Sequence, residues 1–278
     1  MKGTGIKDVT KTSFDVCSDL HLEFDIDYYG DVDRSLIESL FKKPSSDNLI
    51  VAGDVLAVPT RDEQSRKYVD DVLTLFNDIV GERYKNAIFV LGNHDTWYHP
   101  NRTIDEYKET VEYWTNKLTN FNVLDIFNNP VTKIDDVTII GSTGWTEIDP
   151  CDRFWVQQNM NDYYHTEMTA DFTNDIAKKT RETFEQLLND HNNDKVVVVT
   201  HHAPMKKCEF LHKSVPAAYL NSWEKLLDNH PNIATWVYGH VHQRYQFMYN
   251  KTNVVCNARG YIGNEAIANN FHPLMIAV

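Results

Sequence analysis

Residues 87–95 read Ala-Ile-Phe-Val-Leu-Gly-Asn-His-Asp. An unbroken apolar run such as Ala87–Leu91 reads as a strand covered on both faces, because a half-exposed strand alternates apolar with polar residues. The Gly92-Asn93-His94-Asp95 that follows turns the chain and loads the turn with groups that bind metals and carry protons. The same arrangement recurs along the sequence. Phe14–Cys17 stops at Ser18-Asp19-Leu20-His21, and Asn48–Ala52 stops at Gly53-Asp54. Val196–Thr200 runs into His201-His202, and Thr235–Tyr238 into Gly239-His240-Val241-His242. Val137–Ile140 and Asn253–Asn257 read as further strands. Between the strands, Arg61–Val80 carries Tyr68, Val72, Leu75, Phe76 and Ile79 at helical spacing, and Ile104–Leu118, Asp171–Leu188 and Ala217–Asn229 read the same way. Strands alternating with helices predict an α/β fold. In such folds ligands bind outside the C-terminal ends of the strands, where these polar clusters lie.

The residue types at the strand ends point to metal chemistry. Asp19 and His21 are two positions apart, so in extended chain they point the same way, and His240 and His242 repeat the spacing. Carboxylate, imidazole and amide oxygen with no thiolate suit Mn²⁺, Fe or Zn²⁺. Asp19, His21, Asp54, Asn93, His201, His240 and His242 are too many ligands for one ion. Two ions sharing a bridging carboxylate use them all, and such a pair, about 3.5–4 Å apart, clamps a transferring phosphoryl group. Gly53, Gly92 and Gly239 each precede a ligand, where the chain turns sharply. His202 is expected beside His201 in a supporting or substrate-facing place.

Composition narrows the field. The chain has 278 residues, 42% hydrophobic and 24% charged, which excludes a disordered chain, a collagen-like chain and a coiled coil. Its formal net charge is −13, which repels polyphosphate backbones, so extended duplex nucleic acid is not an expected partner. Small phosphoesters remain open because bound cations supply local positive charge. The four cysteines form no C-x-x-C pair, so neither a zinc knuckle nor a disulfide framework is expected. Met1 to Phe14 is polar and no apolar run nears the roughly 20 residues that span a bilayer, so the expected location is cytoplasmic, with no membrane partner. No repeat or linker divides the sequence. We read residues 1–278 as one domain with an aromatic-rich loop insertion at about 144–169, which either covers a site or packs as a surface excursion.

In its strand-end residues the chain resembles the calcineurin-like metallophosphoesterases. Their pattern runs D-x-H, G-D, G-N-H-[DE], a histidine closing a hydrophobic strand, then G-H-x-H, and each element stands here in order from Asp19 to His242. Ser18–Phe24, Gly141–Thr146, Met160–Tyr163 and Asn257–Tyr261 are similar to a bacterial and phage subgroup of small phosphoesterases. The resemblance implies a four-layer αββα sandwich of two mixed β-sheets flanked by helices. It implies that Asp19, His21 and His242 hold one ion, that Asn93, His201 and His240 hold the other, and that Asp54 bridges them. His94 is then the general acid facing the substrate, with Asp95 setting its orientation. The implied cofactors are two divalent transition-metal ions, Mn first, with Fe or Zn as alternatives. Ala258, Gly144 and Tyr164 depart from the subgroup, which usually has proline, leucine and arginine there; these departures bear on substrate contacts and touch no metal ligand.

The function expected from residues and resemblance together is hydrolysis of phosphodiester bonds in a small or nucleotide-type substrate, through a metal-bridged hydroxide. The alternatives, in order, are a phosphomonoesterase (protein phosphatase included), a nuclease on single-stranded or short nucleic acid, and a non-catalytic scaffold. Substrate contacts are expected from His202, from the guanidinium fork of Arg259 and from the ring of Trp97. The plainer readings are an ion pair for Arg259 and packing of the turn for Trp97.

Overall fold

The computed structural model describes residues 11–57, 63–98, 100–208 and 215–278. The polar N-terminal stretch up to residue 10, the first two residues of the predicted Arg61–Val80 helix, His99 and His212 lie outside them. Among the described residues, eleven strands and eight α-helices follow in order: β1 (Ser13–Cys17), α1 (Leu22–Tyr29), α2 (Arg34–Leu40), β2 (Asn48–Ala52), α3 (Glu63–Arg83), β3 (Asn86–Val90), α4 (Ile104–Lys117), β4 (Asn122–Val123), β5 (Val131–Ile134), β6 (Val137–Ser142), α5 (Arg153–Asn159), α6 (Asp162–His165), α7 (Ala170–Asp190), β7 (Lys195–Thr200), α8 (Glu224–Asn229), β8 (Ile233–Tyr238), β9 (Arg244–Tyr249), β10 (Thr252–Asn257) and β11 (Leu274–Ala277).

The strands form two mixed sheets. One runs β11-β1-β2-β3-β4 and the other β5-β6-β7-β8-β10-β9. Parallel pairing fills the middle of each, with antiparallel partners β11, β5 and β9 at the edges. Because side chains alternate along a strand, each central strand serves two cores. Phe14, Val16, Ile50, Ala52, Val197, Val199 and Val237 join one apolar cluster drawn from both sheets. Cys17, Leu49, Val51, Val196, Val198 and Trp236 belong to another, shared with Val72 and Phe76 of α3, Trp114 of α4 and Phe184 of α7. This is why the central strands read as continuous apolar runs, and it yields the expected helix–sheet–sheet–helix layering. The helices start where side chains satisfy free backbone donors: Thr103 accepts from Glu106 N ahead of α4, and Thr169 from Phe172 N ahead of α7.

Two expectations need correction. The 144–169 insertion is not a bare loop; it carries α5 and α6, and Val156 of α5 with Met160 just after it packs against Ile148, Ala170, Val215 and Ala218 in a small separate core. The predicted helix Ala217–Asn229 is α-helical only from Glu224; a short 3-10 turn at Pro216–Ala218 stops where Leu220 pairs with Ala203 as an isolated β-bridge. Among the described residues no helix is long and apolar enough to cross a membrane.

Candidate active site

The strand ends converge. β1 delivers Asp19 and His21, β2 Asp54, β3 Asn93, β7 His201, and β8 His240 and His242, so both sheets contribute. Delivery requires an abrupt change of chain direction. Asp19, His21, Asp54, His240 and His242 all sit in the left-handed region, with φ between 46° and 66°. Asp and His tolerate that region better than most residues, yet it is sparsely populated, and clustering of such residues is typical of functional sites. Gly92 is required for a different reason: a Cβ there would lie 2.0 Å from Asp54 Oδ1.

Two groups of ligand atoms result. Those of Asp19, His21 and His242 lie within 4.8 Å of one another, as do those of Asp54, His201 and His240. In the first group His21 Nε2 stands 3.1 Å from His242 Nε2, and His242 Nε2 is 3.5 Å from Asp19 Oδ1. The other ring nitrogens face oxygen acceptors: His21 Nδ1 lies 2.9 Å from Glu23 Oε1 and His242 Nδ1 2.6 Å from Glu265 Oε2. A proton on each Nδ1 leaves two Nε2 lone pairs aimed at each other. In the second group His201 Nδ1 donates to Ala52 O at 2.8 Å. Its Nε2 then meets Asn93 Oδ1 at 2.9 Å and Asp54 Oδ2 at 3.2 Å. His240 Nε2 is buried with no hydrogen-bond partner. Lone pairs packed against lone pairs, with an orphaned buried nitrogen beside them, are the signature of a cation site, and the Nδ1 bonds fix the tautomers that such a site needs. The donor set therefore fits two divalent ions with Asp54 between them. Without cations, burial works against charged rings in the second group, yet Asp54 outweighs it and draws His201 up to about 9. His240 is driven down, by burial first and then by His202 and His201.

His94 lies outside these two groups and forms a third with His21 and Glu23, whose ligand atoms also lie within 4.8 Å of one another. Its backbone N–H donates to Asp54 Oδ1, its ring stacks on Trp97 at 4.0 Å, and its Nδ1 is 3.5 Å from Glu23 Oε1. Without cations, burial opposes protonation, but Asp54 and Glu23 outweigh it and raise this ring to about 9. Asp95, expected to orient His94, is engaged elsewhere. Its carboxylate accepts from the backbone N–H groups of Gly92, Asp54, Val55 and Leu56 at 2.7–3.3 Å. It braces the loop that carries Asp54, and the carboxylate facing the His94 ring is Glu23.

The remaining predicted residues separate. Trp97 lines the cleft, and its Nε1 donates to Asp162 Oδ1 at 2.9 Å. His202 does not line the cleft; it is buried between Trp145 and the ring of His240, and burial pushes it down to about 3. Arg259 is also turned away from substrate. It is 3% exposed and forms a two-pronged ion pair with Asp25, while Nη1 also donates to Leu20 O. Neither residue lines the cleft; their contacts match the alternative readings, a supporting place for His202 and an ion pair for Arg259. Sequence reasoning missed Glu23, Glu265, Asp162, and the rings of Tyr219, which stacks on His240 at 4.5 Å, and Tyr261, 4.4 Å from His242. Glu23, Asp162 and Tyr261 stand inside the subgroup-like motifs, which was their signal; Glu265 and Tyr219 carried none. The cleft runs from Asp54, His240 and His242 outward past Tyr219, Tyr261 and Glu265 to residues 159–162 of the insertion.

Comparison with known proteins agrees with this geometry. A model described as calcineurin-like phosphoesterase matches residues 12–244. The chain is 29% identical to uncharacterized protein L509 of Acanthamoeba polyphaga mimivirus, over 92% of each chain. Among solved structures it is similar to the phosphopantetheinyl hydrolase of Mycobacterium tuberculosis, with a TM-score of 0.62 and 20% identity over 91% of this chain and 90% of that one. It is also similar to a putative 5'-nucleotidase of Staphylococcus aureus, with a TM-score of 0.53 and 17% identity, covering 89% of this chain and 48% of the other. At those identities the two structures report the fold.

Proposed function

This chain belongs to the calcineurin-like phosphoesterase family, and we propose that within it the protein hydrolyses phosphodiester bonds of a small or nucleotide-type substrate. The observation that carries the choice of diester is the charge of the cleft. Among the described residues lining it there is no lysine or arginine, while Asp162 and Glu265 stand near Asp54. A phosphomonoester near neutral pH carries between one and two negative charges, since the second phosphate pKa is about 6. A diester carries one. With Arg259 committed to Asp25, no guanidinium fork meets the extra charge. Asn159, Asn161, Tyr219 and Trp97 instead offer amides and ring faces suited to a second ester arm.

The roles of the residues follow from where they stand. Asp19, His21 and His242 would hold one cation, Asn93, His201 and His240 the other, with Asp54 shared; Mn²⁺ is the proposed ion, and Fe and Zn²⁺ suit the same oxygen and nitrogen donors. When bound, such a pair supplies Lewis-acid stabilisation and an acidified water. Glu23 and Glu265 fix the ring orientations of His21 and His242. His94 presents its proton to the leaving alkoxide, a contribution of about 10²–10⁴-fold. Trp97 backs the His94 ring and Glu23 faces its Nδ1, which limits the ring's freedom to turn.

The test compares bis(p-nitrophenyl) phosphate with p-nitrophenyl phosphate on metal-stripped protein reloaded with Mn²⁺. The proposal predicts the larger kcat/KM for the diester. A larger value for the monoester would replace it with a phosphatase reading.

A further inference from the structure

We infer that Asp162, on the insertion helix α6, dictates which end of the Asn93 amide faces the metal pocket, and thereby ties the insertion to the Asn93–His201–His240 site. The inference rests on the reading that Asn93 holds a cation. A side-chain amide accepts at one end and donates at the other, and the two ends are nearly equal in size. Packing therefore does not choose between them; hydrogen bonding does. Only the oxygen end can hold a cation. Asn93 Oδ1 stands 2.9 Å from His201 Nε2, on the ligand side, while Nδ2 donates to Asp162 Oδ1 at 2.7 Å. Turning the amide over would press its oxygen against a carboxylate oxygen, at a place where Asn93 is 2% and Asp162 3% exposed and water cannot relieve the clash.

The same carboxylate oxygen accepts from Trp97 Nε1, and Trp97 stacks between His94 and His165 of α6, so one acceptor fixes a metal ligand and the ring behind the proton donor. The backbone that carries the carboxylate is anchored, because Thr166 Oγ1 and the Thr166 backbone N–H both donate to the Asp162 main-chain carbonyl. Asp162 is a positioning residue: it acts through Asn93 and Trp97.

The experiment is a calorimetric Mn²⁺ titration of metal-stripped protein. Wild type should take up two ions. Asp162→Ala removes the acceptor, so nothing holds the nitrogen end of Asn93 away from the metal pocket, and should weaken one of the two ions by about 10–100-fold, the usual cost of losing a partner that orients a ligand. The double variant Asn93→Asp, Asp162→Ala should recover it. A carboxylate at 93 has oxygen at both ends, and the two changes together leave the total charge as it was. Unchanged affinity in Asp162→Ala would overturn the inference and leave the metal reading standing. A loss that the double variant does not recover would also overturn it, assigning the effect to packing of α6. If Asp162→Ala does not fold, the double variant decides: folded with two ions supports the inference, unfolded overturns it. A wild type that binds no Mn²⁺ overturns the metal reading and this inference together.

Discussion

Asp54 and His94 stand one hydrogen bond apart, and the proposal gives them separable work. Asp54 Oδ2 faces His201 and His21, where it is proposed as the shared ligand, whereas His94 lines the cleft as the proposed proton donor. Asp54→Ala should therefore lose bound metal together with activity, while His94→Ala should lower turnover by about 10²–10⁴-fold and retain two ions per chain. Elemental analysis beside steady-state kinetics checks both; loss of metal in the His94 variant would contradict the division of labour. Arg259 gives a second residue-scale prediction. Removing one partner of a buried ion pair costs about 3–5 kcal/mol, so Arg259→Ala should lower the denaturation midpoint while KM of the folded enzyme stays unchanged. A raised KM at wild-type stability would return the arginine to the substrate. The convergence of the seven candidate ligands was legible because each lies just past the end of a strand. The partners were not, because sequence order does not state which carboxylate meets which ring: Glu265 is 23 positions from His242 and Asp162 is 69 from Asn93. Arg259 shows the converse, a residue whose chemistry suits phosphate but whose charge is neutralised 234 positions away at Asp25.

Strands buried on both faces announced themselves, and strands with one wet face did not. β2 and β7 are almost wholly buried and read as apolar runs. β9 is an edge strand with Arg244, Gln246 and Met248 exposed, and its half-buried Tyr245, Phe247 and Tyr249 give a weaker, alternating signal. β4 spans only two residues and α6 only four, too few for any period to show. Just beyond β4 lies a buried carboxylate with a measurable consequence. Asp125 is 1% exposed, accepts from Phe127 N at 2.9 Å and from Ser142 Oγ at 3.3 Å, and burial pushes it up to about 6. The folded state then holds this proton more tightly than the unfolded chain, whose value is about 3.9. The contribution of Asp125 to stability is thus greatest below about pH 4 and declines as pH rises toward about 6. Asp125→Asn removes that decline, because Ser142 can turn its hydroxyl to accept instead. The variant should gain up to about 3 kcal/mol over wild type at pH 7 and little at pH 4. Denaturation of both proteins across that range measures it, and a parallel decline in both would contradict the assignment.

At the scale of the molecule, each proposed ion takes ligands from both sheets: Asp19 and His21 with His242, and Asn93 with His201 and His240. Backbone bonds also join the two sheets there, since Arg259 N donates to Ser18 O at 3.0 Å and Ser18 N donates to Asn257 O at 3.1 Å. Cations at this junction would staple the sandwich. Mn²⁺ at about 100 times its dissociation constant should add about 2.7 kcal/mol per ion, seen as a higher melting temperature that Asp54→Ala lacks. Equal melting with and without metal would argue against a site that spans the sheets. The layering was legible because strands alternate with helices. The insertion's place was not, since nothing in the order of residues 144–169 states that they fold back onto Asn93 and Trp97.

The central claim is that seven strand-end side chains hold two cations astride Asp54. Anomalous diffraction at the manganese edge from crystals of metal-reloaded protein tests it most directly. Two peaks are expected, one beside Asp19, His21 and His242 and one beside Asn93, His201 and His240, with the Asp54 carboxylate between them. A single peak, or peaks away from Asp54, would contradict the account.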